Sequence, residues 1–244
     1  MTSILLRILF IGNSLTAANN LPAVVEALAR AEGAGRIETR SVVFPDHSLE
    51  DHWNRGDALR AIREEKWDVV VLQQGPSALP ESQALLREFT KGFNAEIRKT
   101  GARTALYMVW PSSARASDFT AVSRSYTAAA SDVGGLLLPA GDAWRAAWKK
   151  DKTLALYGPD GFHPSALGTY LSALVIYQRI TGRSVVGMPS PFSSIDPKIV
   201  SVLQEAAAEV DVRTSPSPPP GDRREAHAAC CRQSRSSSRP SSSR

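Results

Sequence analysis

The chain has 244 residues, 43% hydrophobic and 22% charged, which suits one large α/β domain or two small ones. Its net charge is +5, and the arginines between Arg213 and Arg244, set against Asp222 and Glu225, account for all of it. The body is therefore near neutral, which argues against a nucleic-acid-binding surface there.

No apolar run reaches the roughly 18 residues of a membrane span. The first residues, Met1 to Arg7, pass straight into an apolar run with no signal-peptide layout, so a cytoplasmic protein is expected. Both cysteines, Cys230 and Cys231, are adjacent and late in the chain, so no disulfide framework is available to the body.

Apolar runs alternate with helical spacing along the body. Strands are expected at Ile4 to Ile11, Ile37 to Val43, Asp68 to Leu72, Thr104 to Val109 and Leu136 to Pro139. Helices are expected at Leu21 to Glu32, Asp57 to Lys66, Glu81 to Thr100, Phe119 to Asp132, Pro164 to Thr181 and Pro197 to Val210. Gly33, Gly101, Gly134 and Gly182 stand where glycine stops a helix. Ser48 to Asp51 reads as a helix-start box.

Strand-helix alternation of this kind predicts a parallel five-stranded sheet with helices on both faces, a three-layer α/β/α domain over residues 1–212. From 213 to 244 the chain is Ser, Pro and Arg with almost no large apolar residue. Such a composition cannot offset its ordering entropy, so a disordered tail is expected.

The first strand runs into Gly12-Asn13-Ser14-Leu15-Thr16. Ser14 is thus expected just past a strand's carboxyl end, where open α/β sheets bind ligands. A hydroxyl there is a candidate nucleophile if a base reaches it, and otherwise an ordinary capping residue. His227 lies in the tail, and His47 and His52 have the wrong spacing for a helical pair of metal ligands. His163 remains, in Asp160-Gly161-Phe162-His163-Pro164. A turn at Gly161 brings the Asp160 carboxylate to the imidazole, which fixes its tautomer.

Gly12-Asn13-Ser14-Leu15 after an apolar strand resembles the first block of the SGNH, or GDSL, hydrolases, with Asn13 where Asp is usual. Asp160-x-x-His163-Pro164 resembles that family's last block. The resemblance covers roughly Ile8 to Ile180. It implies the flavodoxin-like SGNH hydrolase fold and a Ser14-His163-Asp160 triad that cleaves esters through an acyl-enzyme. It implies no metal or organic cofactor and a small-molecule ester as partner; from charge and hydropathy, neither nucleic acid for the folded domain nor a membrane is expected. Short acyl groups fit best, since no apolar lid segment is evident. Trp53, Trp110, Trp144 and Trp148 are candidates to stack on a sugar, which favours acetyl on a carbohydrate.

The family's middle blocks supply oxyanion donors, a Gly N–H and an Asn side-chain amide. Here Phe44-Pro45-Asp46-His47-Ser48 has no Gly, and Asp46 or His47 stands at the expected place. Leu72-Gln73-Gln74-Gly75-Pro76-Ser77 replaces the Asn block. The expected hole is therefore the Ser14 N–H, a backbone N–H at Asp46, and the amide of Gln73, with Gln74 and Ser77 as alternatives. Two other readings compete. One is a flavodoxin-like domain cradling a phosphate at Gly12 to Thr16, which lacks Gly-x-Gly-x-x-Gly spacing. The other is an inactive scaffold of the same fold.

Overall fold

The computed structural model describes residues 5–33 and 35–214, with side chains through Val210. The expected tail begins at 213, so all of it beyond Thr214 lies outside the described residues, as do both cysteines. Five parallel strands form one sheet in the order β2-β1-β3-β4-β5. They are β1 (Leu5–Gly12), β2 (Arg36–Val43), β3 (Val69–Leu72), β4 (Arg103–Tyr107) and β5 (Leu136–Leu138).

The strand sequences explain this order. Val69 to Leu72 and Ile8 to Ile11 are fully buried, as central parallel strands must be with helices on both faces. β2 carries Arg36, Glu38 and Arg40 and stands at the sheet edge, where charge discourages pairing with another chain. β4 ends at Tyr107, short of the expected Val109, because Met108 onward turns toward β5 and the loop beyond.

The helices are α1 (Ser14–Ala17), α2 (Leu21–Glu32), α3 (Leu49–Arg55), α4 (Asp57–Glu64), α5 (Pro80–Thr100), α6 (Phe119–Val133), α7 (Ala140–Lys150), α8 (Ala166–Thr181) and α9 (Pro197–Thr214). Right-handed crossovers put α2 on one face and α4, α5 and α6 on the other. α8 and α9 pack on the α2 side, with α7 against both. Every residue of α8 from Gly168 to Gln178 is buried, Thr169, Ser172 and Gln178 included, so this helix is buried all round rather than amphipathic.

Other elements also differ from the sequence reading. Pro164 does not open α8; it pairs with Tyr157 in a lone antiparallel bridge, and Ser165 caps the helix by accepting from the Gly168 N–H at 3.2 Å. α7 is unanticipated, because its buried face is mostly the small side chains Ala140, Ala143, Ala146 and Ala147. α9 runs to Thr214, past the expected domain end at 212. The Ser48 box forms as expected: Ser48 accepts from the Asp51 N–H, and Asp51 accepts from the Ser48 N–H at 2.8 Å.

The sheet order has one topological switch point, between β1 and β3, where successive crossovers leave in opposite directions. Crevices at such points take ligands in open α/β sheets. Ser14 follows β1, and Gln73 and Gln74 follow β3.

Candidate active site

Ser14 is the first residue of α1, so its N–H has no acceptor within the helix. Asn13 caps the turn, its Oδ1 accepting from the Leu15 N–H at 3.1 Å. Ser14 is half-buried and lines an open cleft of about 470 Å³. Asp46, His47, Gln74, Ser77, Leu79 and Phe162 also face this cleft.

Asp160 and His163 meet as the sequence suggests. Asp160 Oδ2 lies 2.5 Å from His163 Nδ1, and its Oδ1 accepts from the N–H groups of Phe162 and His163, both at 3.0 Å. Bonding to His163 above all, then to the Phe162 N–H, holds the Asp160 carboxyl down at about 2. The carboxylate therefore stays charged and keeps the His163 Nδ1–H tautomer, leaving Nε2 as the basic nitrogen. The loop is fixed from several sides. Gly161 takes φ +67, the left-handed turn that lets the chain double back, and its C=O accepts from the Ser113 N–H at 2.8 Å. Gly158 N–H donates to the His163 C=O at 2.7 Å. Trp110 Nε1–H donates to the Phe162 C=O at 3.0 Å.

The segment after Ser14 and the loop of His163 are joined by Asn19. Its Nδ2 donates to the Pro164 C=O at 3.0 Å and to Thr169 Oγ1 at 2.9 Å. No hydrogen bond joins the Ser14 hydroxyl to His163 among the described residues. In unliganded sites such contacts are often long and tighten only around substrate.

No family model matches the chain, and no curated protein matches it in sequence. Solved structures do match. A protein from Bacteroides uniformis of a family of unknown function, DUF4886, superposes with a TM-score of 0.75 at 21% identity, over 88% of this chain and 98% of that one. A candidate SGNH hydrolase from Slackia heliotrinireducens gives 0.61 at 27% identity, over 72% of this chain and all of that one (100%). A catalytic mutant of an acetylxylan esterase from Geobacillus stearothermophilus gives 0.55 at 18% identity, over 73% and 96%. The chain has the SGNH/GDSL hydrolase fold.

Set in that SGNH frame, the middle blocks show two departures. The first is a turn built without a glycine. Phe44 to His47 forms a turn, the His47 N–H donating to the Phe44 C=O at 3.4 Å, with Pro45 second and Asp46 third at φ 59. Positive φ at the third position is what glycine usually supplies, and Asp is among the few other residues that tolerate it. Asp46 thus takes a backbone conformation that glycine would take more readily at this turn.

The second departure corrects the expected oxyanion hole. Gln73 is fully buried and does not line the cleft. Its Nε2 donates to Asn13 Oδ1 at 3.0 Å and to the Gln74 C=O at 2.6 Å, so both amide hydrogens are engaged. Gln74 reaches the cleft, but its Nε2 donates to Ser77 Oγ at 3.0 Å and to the Ser82 C=O at 3.1 Å. Neither glutamine offers a free amide N–H where an SGNH asparagine would.

The tryptophans also differ from expectation. Trp110 and Trp144 are fully buried and stacked on each other at 3.5 Å, while Trp53 packs edge-on against Phe93. None of the four lines the cleft. They serve packing, and Trp110 also holds the Phe162 carbonyl.

Three supporting residues carried no local sequence signal. Asn19 read only as part of a turn. Tyr126, buried on α6, donates to the Gln74 C=O and accepts from the Gln74 N–H at 3.1 Å, which pins the turn after β3. His52 is fully buried, and its Nε2 lies 2.8 Å from the Gly12 C=O. A carbonyl only accepts, so His52 donates from Nε2. Among the described residues no group of three or more His, Cys, Asp or Glu is placed to hold a metal ion.

Proposed function

We propose that the chain is a serine ester hydrolase, with Ser14 as nucleophile, His163 as base and Asp160 as the group that orients it. The observation that carries this reading is the Asp160–His163 pair at 2.5 Å, on a loop that Asn19 ties to the turn presenting Ser14. Ser14 attacks the ester carbonyl as His163 Nε2 takes its proton. The proton then passes to the leaving alcohol, and water repeats the sequence on the acyl-enzyme. The oxyanion is held by backbone N–H groups at Ser14 and Asp46, without a glutamine side chain. One such donor contributes about 3 kcal/mol to transition-state stabilisation.

The substrate is an ester with a short acyl group. Pro76, Ala78, Leu79 and Leu85 give the cleft an apolar strip, and Asp46, His47, Ser48 and Ser112 face it with polar groups. That pairing suits a small acyl chain on a hydroxylated alcohol. The esterase of acetylated xylan among the similar structures makes acetyl on a carbohydrate the first class to try.

The test is hydrolysis of p-nitrophenyl acetate and a panel of acetylated sugars, with labelling by a fluorophosphonate. Ser14→Ala should lose turnover by about 10³-fold or more and take no label. Wild-type activity in that variant overturns the reading. The committed amides of Gln73 and Gln74 favour one rival, an inactive scaffold, which predicts an unlabelled wild type.

A further inference from the structure

We propose that Gln73 is the positioning residue of the nucleophile, a clamp from β3 that holds the turn on both sides of Ser14. This rests on the reading of Ser14 as nucleophile. Gln73 Oε1 accepts from the Asn13 N–H at 2.9 Å, one residue before Ser14, and from Thr16 Oγ1 at 2.7 Å, two residues after it. Its Nε2 donates to Asn13 Oδ1, the same oxygen that caps α1 by accepting from the Leu15 N–H.

One amide thus touches Asn13 twice and Thr16 once. Its only other bond among the described residues runs to the adjacent Gln74 carbonyl. The orientation of the amide is fixed by its partners. The Asn13 N–H is a donor only, so an oxygen must face it, and the NH₂ must face Asn13 Oδ1 and the Gln74 C=O.

The sequence around the clamp is shaped to admit it. Gly12 has no Cβ, and a Cβ there would overlap both the Gln73 amide oxygen and Thr16 Oγ1. Gln73 and Thr16 are both fully buried, so water does not compete for these bonds. The Gln73 N–H donates to the Ile11 C=O at 2.8 Å, which anchors the clamp's own backbone to β1. The long glutamine side chain reaches across the switch point instead of into the cleft. Its contribution to the reaction is the placement of the Ser14 hydroxyl.

The experiment is steady-state hydrolysis of p-nitrophenyl acetate by wild type, Gln73→Met, Thr16→Val and the double variant, below each melting temperature. A misplacement of about 1 Å costs roughly 100-fold, so kcat in Gln73→Met should fall about 10- to 100-fold with KM within about twofold. Thr16→Val should lower kcat less. The double variant should be no worse than Gln73→Met, because the shared bond is already gone.

Wild-type kcat in Gln73→Met overturns the proposal, as does a double variant whose losses simply multiply. A glutamine serving as oxyanion donor would leave Thr16→Val silent. If Gln73→Met does not fold, Thr16→Val alone decides: unchanged kcat there overturns the clamp. A wild type that hydrolyses no ester and takes no fluorophosphonate would overturn the esterase reading first, and the clamp with it.

Discussion

Asn19 donates from one amide to the Pro164 carbonyl at 3.0 Å and to the Thr169 hydroxyl on α8 at 2.9 Å, partners 145 and 150 residues further along the chain. Asn19 follows the short helix that begins at Ser14, and Pro164 directly follows His163. If Ser14 and His163 act together as proposed, their relative placement rests in part on Asn19. Asn19 itself sits at φ 50, a left-handed conformation that asparagine tolerates.

Asn19→Gly keeps that backbone and removes both bonds. It should lower kcat toward, but not beyond, the roughly 100-fold expected for a 1 Å misplacement, and lower stability by about 1 kcal/mol. Asn19→Ala should cost about 1 kcal/mol more, from the strain of positive φ at a residue with a Cβ. Kinetics on p-nitrophenyl acetate with urea unfolding of both variants checks this. Equal stability of the glycine and alanine variants would contradict the strain argument.

Asp160 gives a prediction whose sign follows from its depressed carboxyl, at about 2 against an ordinary 3.8. The pair with His163 is fully present above the unfolded value. It is lost as pH falls through the folded value, between about pH 4 and pH 2. Asp160 is solvent-exposed, so the stability effect is small. Wild type and Asp160→Asn should converge in stability only at the acid end of that window. At neutral pH Asp160→Asn should lose about 10²- to 10⁴-fold in kcat, because an amide can stabilise the wrong imidazole tautomer. Urea titrations at pH 2 to 5, with kinetics at pH 7.5, measure both.

Tyr126→Phe tests the turn after β3. The hydroxyl serves the Gln74 N–H and the carbonyls of Gln74 and Gly75. Its removal leaves buried backbone groups unpaired, at a cost of about 1–3 kcal/mol. The cleft wall at Gly75 to Ser77 should shift, so KM should rise more than kcat falls. A variant as stable as wild type would show that water replaces the hydroxyl.

The scaffold was more legible in the sequence than the oxyanion site. Val69 to Leu72 and Ile8 to Ile11 are long enough and apolar enough to demand burial on both faces, and that fixes the sheet. Asp160 and His163 are three residues apart, so local turn geometry was sufficient to pair them. Gln73 is not legible from the sequence, because an amide at a strand's end can face the cleft or fold back over the neighbouring strand. Only the position of Gly12, 61 residues earlier and paired through a different strand, decides which. Asn19 and Tyr126 were invisible for the same reason, since their partners are fixed by packing. α7 was missed because alanines carry little hydrophobic contrast, although Ala140, Ala143 and Ala147 have helical spacing.

His52 gives the last prediction. It is buried on α3 behind β1, with Nε2–H on the Gly12 carbonyl and Nδ1 without a partner among the described residues. Burial, more than any neighbour, pushes the imidazole below its ordinary 6.5; His47 and Arg55 push the same way, while the Gly12 carbonyl and Asp51 oppose. The folded protein therefore resists protonation that the unfolded chain accepts. As pH falls below about 6.5 the unfolded state gains the proton first, and stability drops; above that value His52 has no effect on the pH slope. His52→Gln keeps a donor for the Gly12 carbonyl and removes the titration. Its stability deficit relative to wild type should be largest near pH 7.5 and shrink toward pH 5. Urea midpoints at pH 5, 6 and 7.5 measure the difference, and parallel pH dependences in the two proteins would refute it.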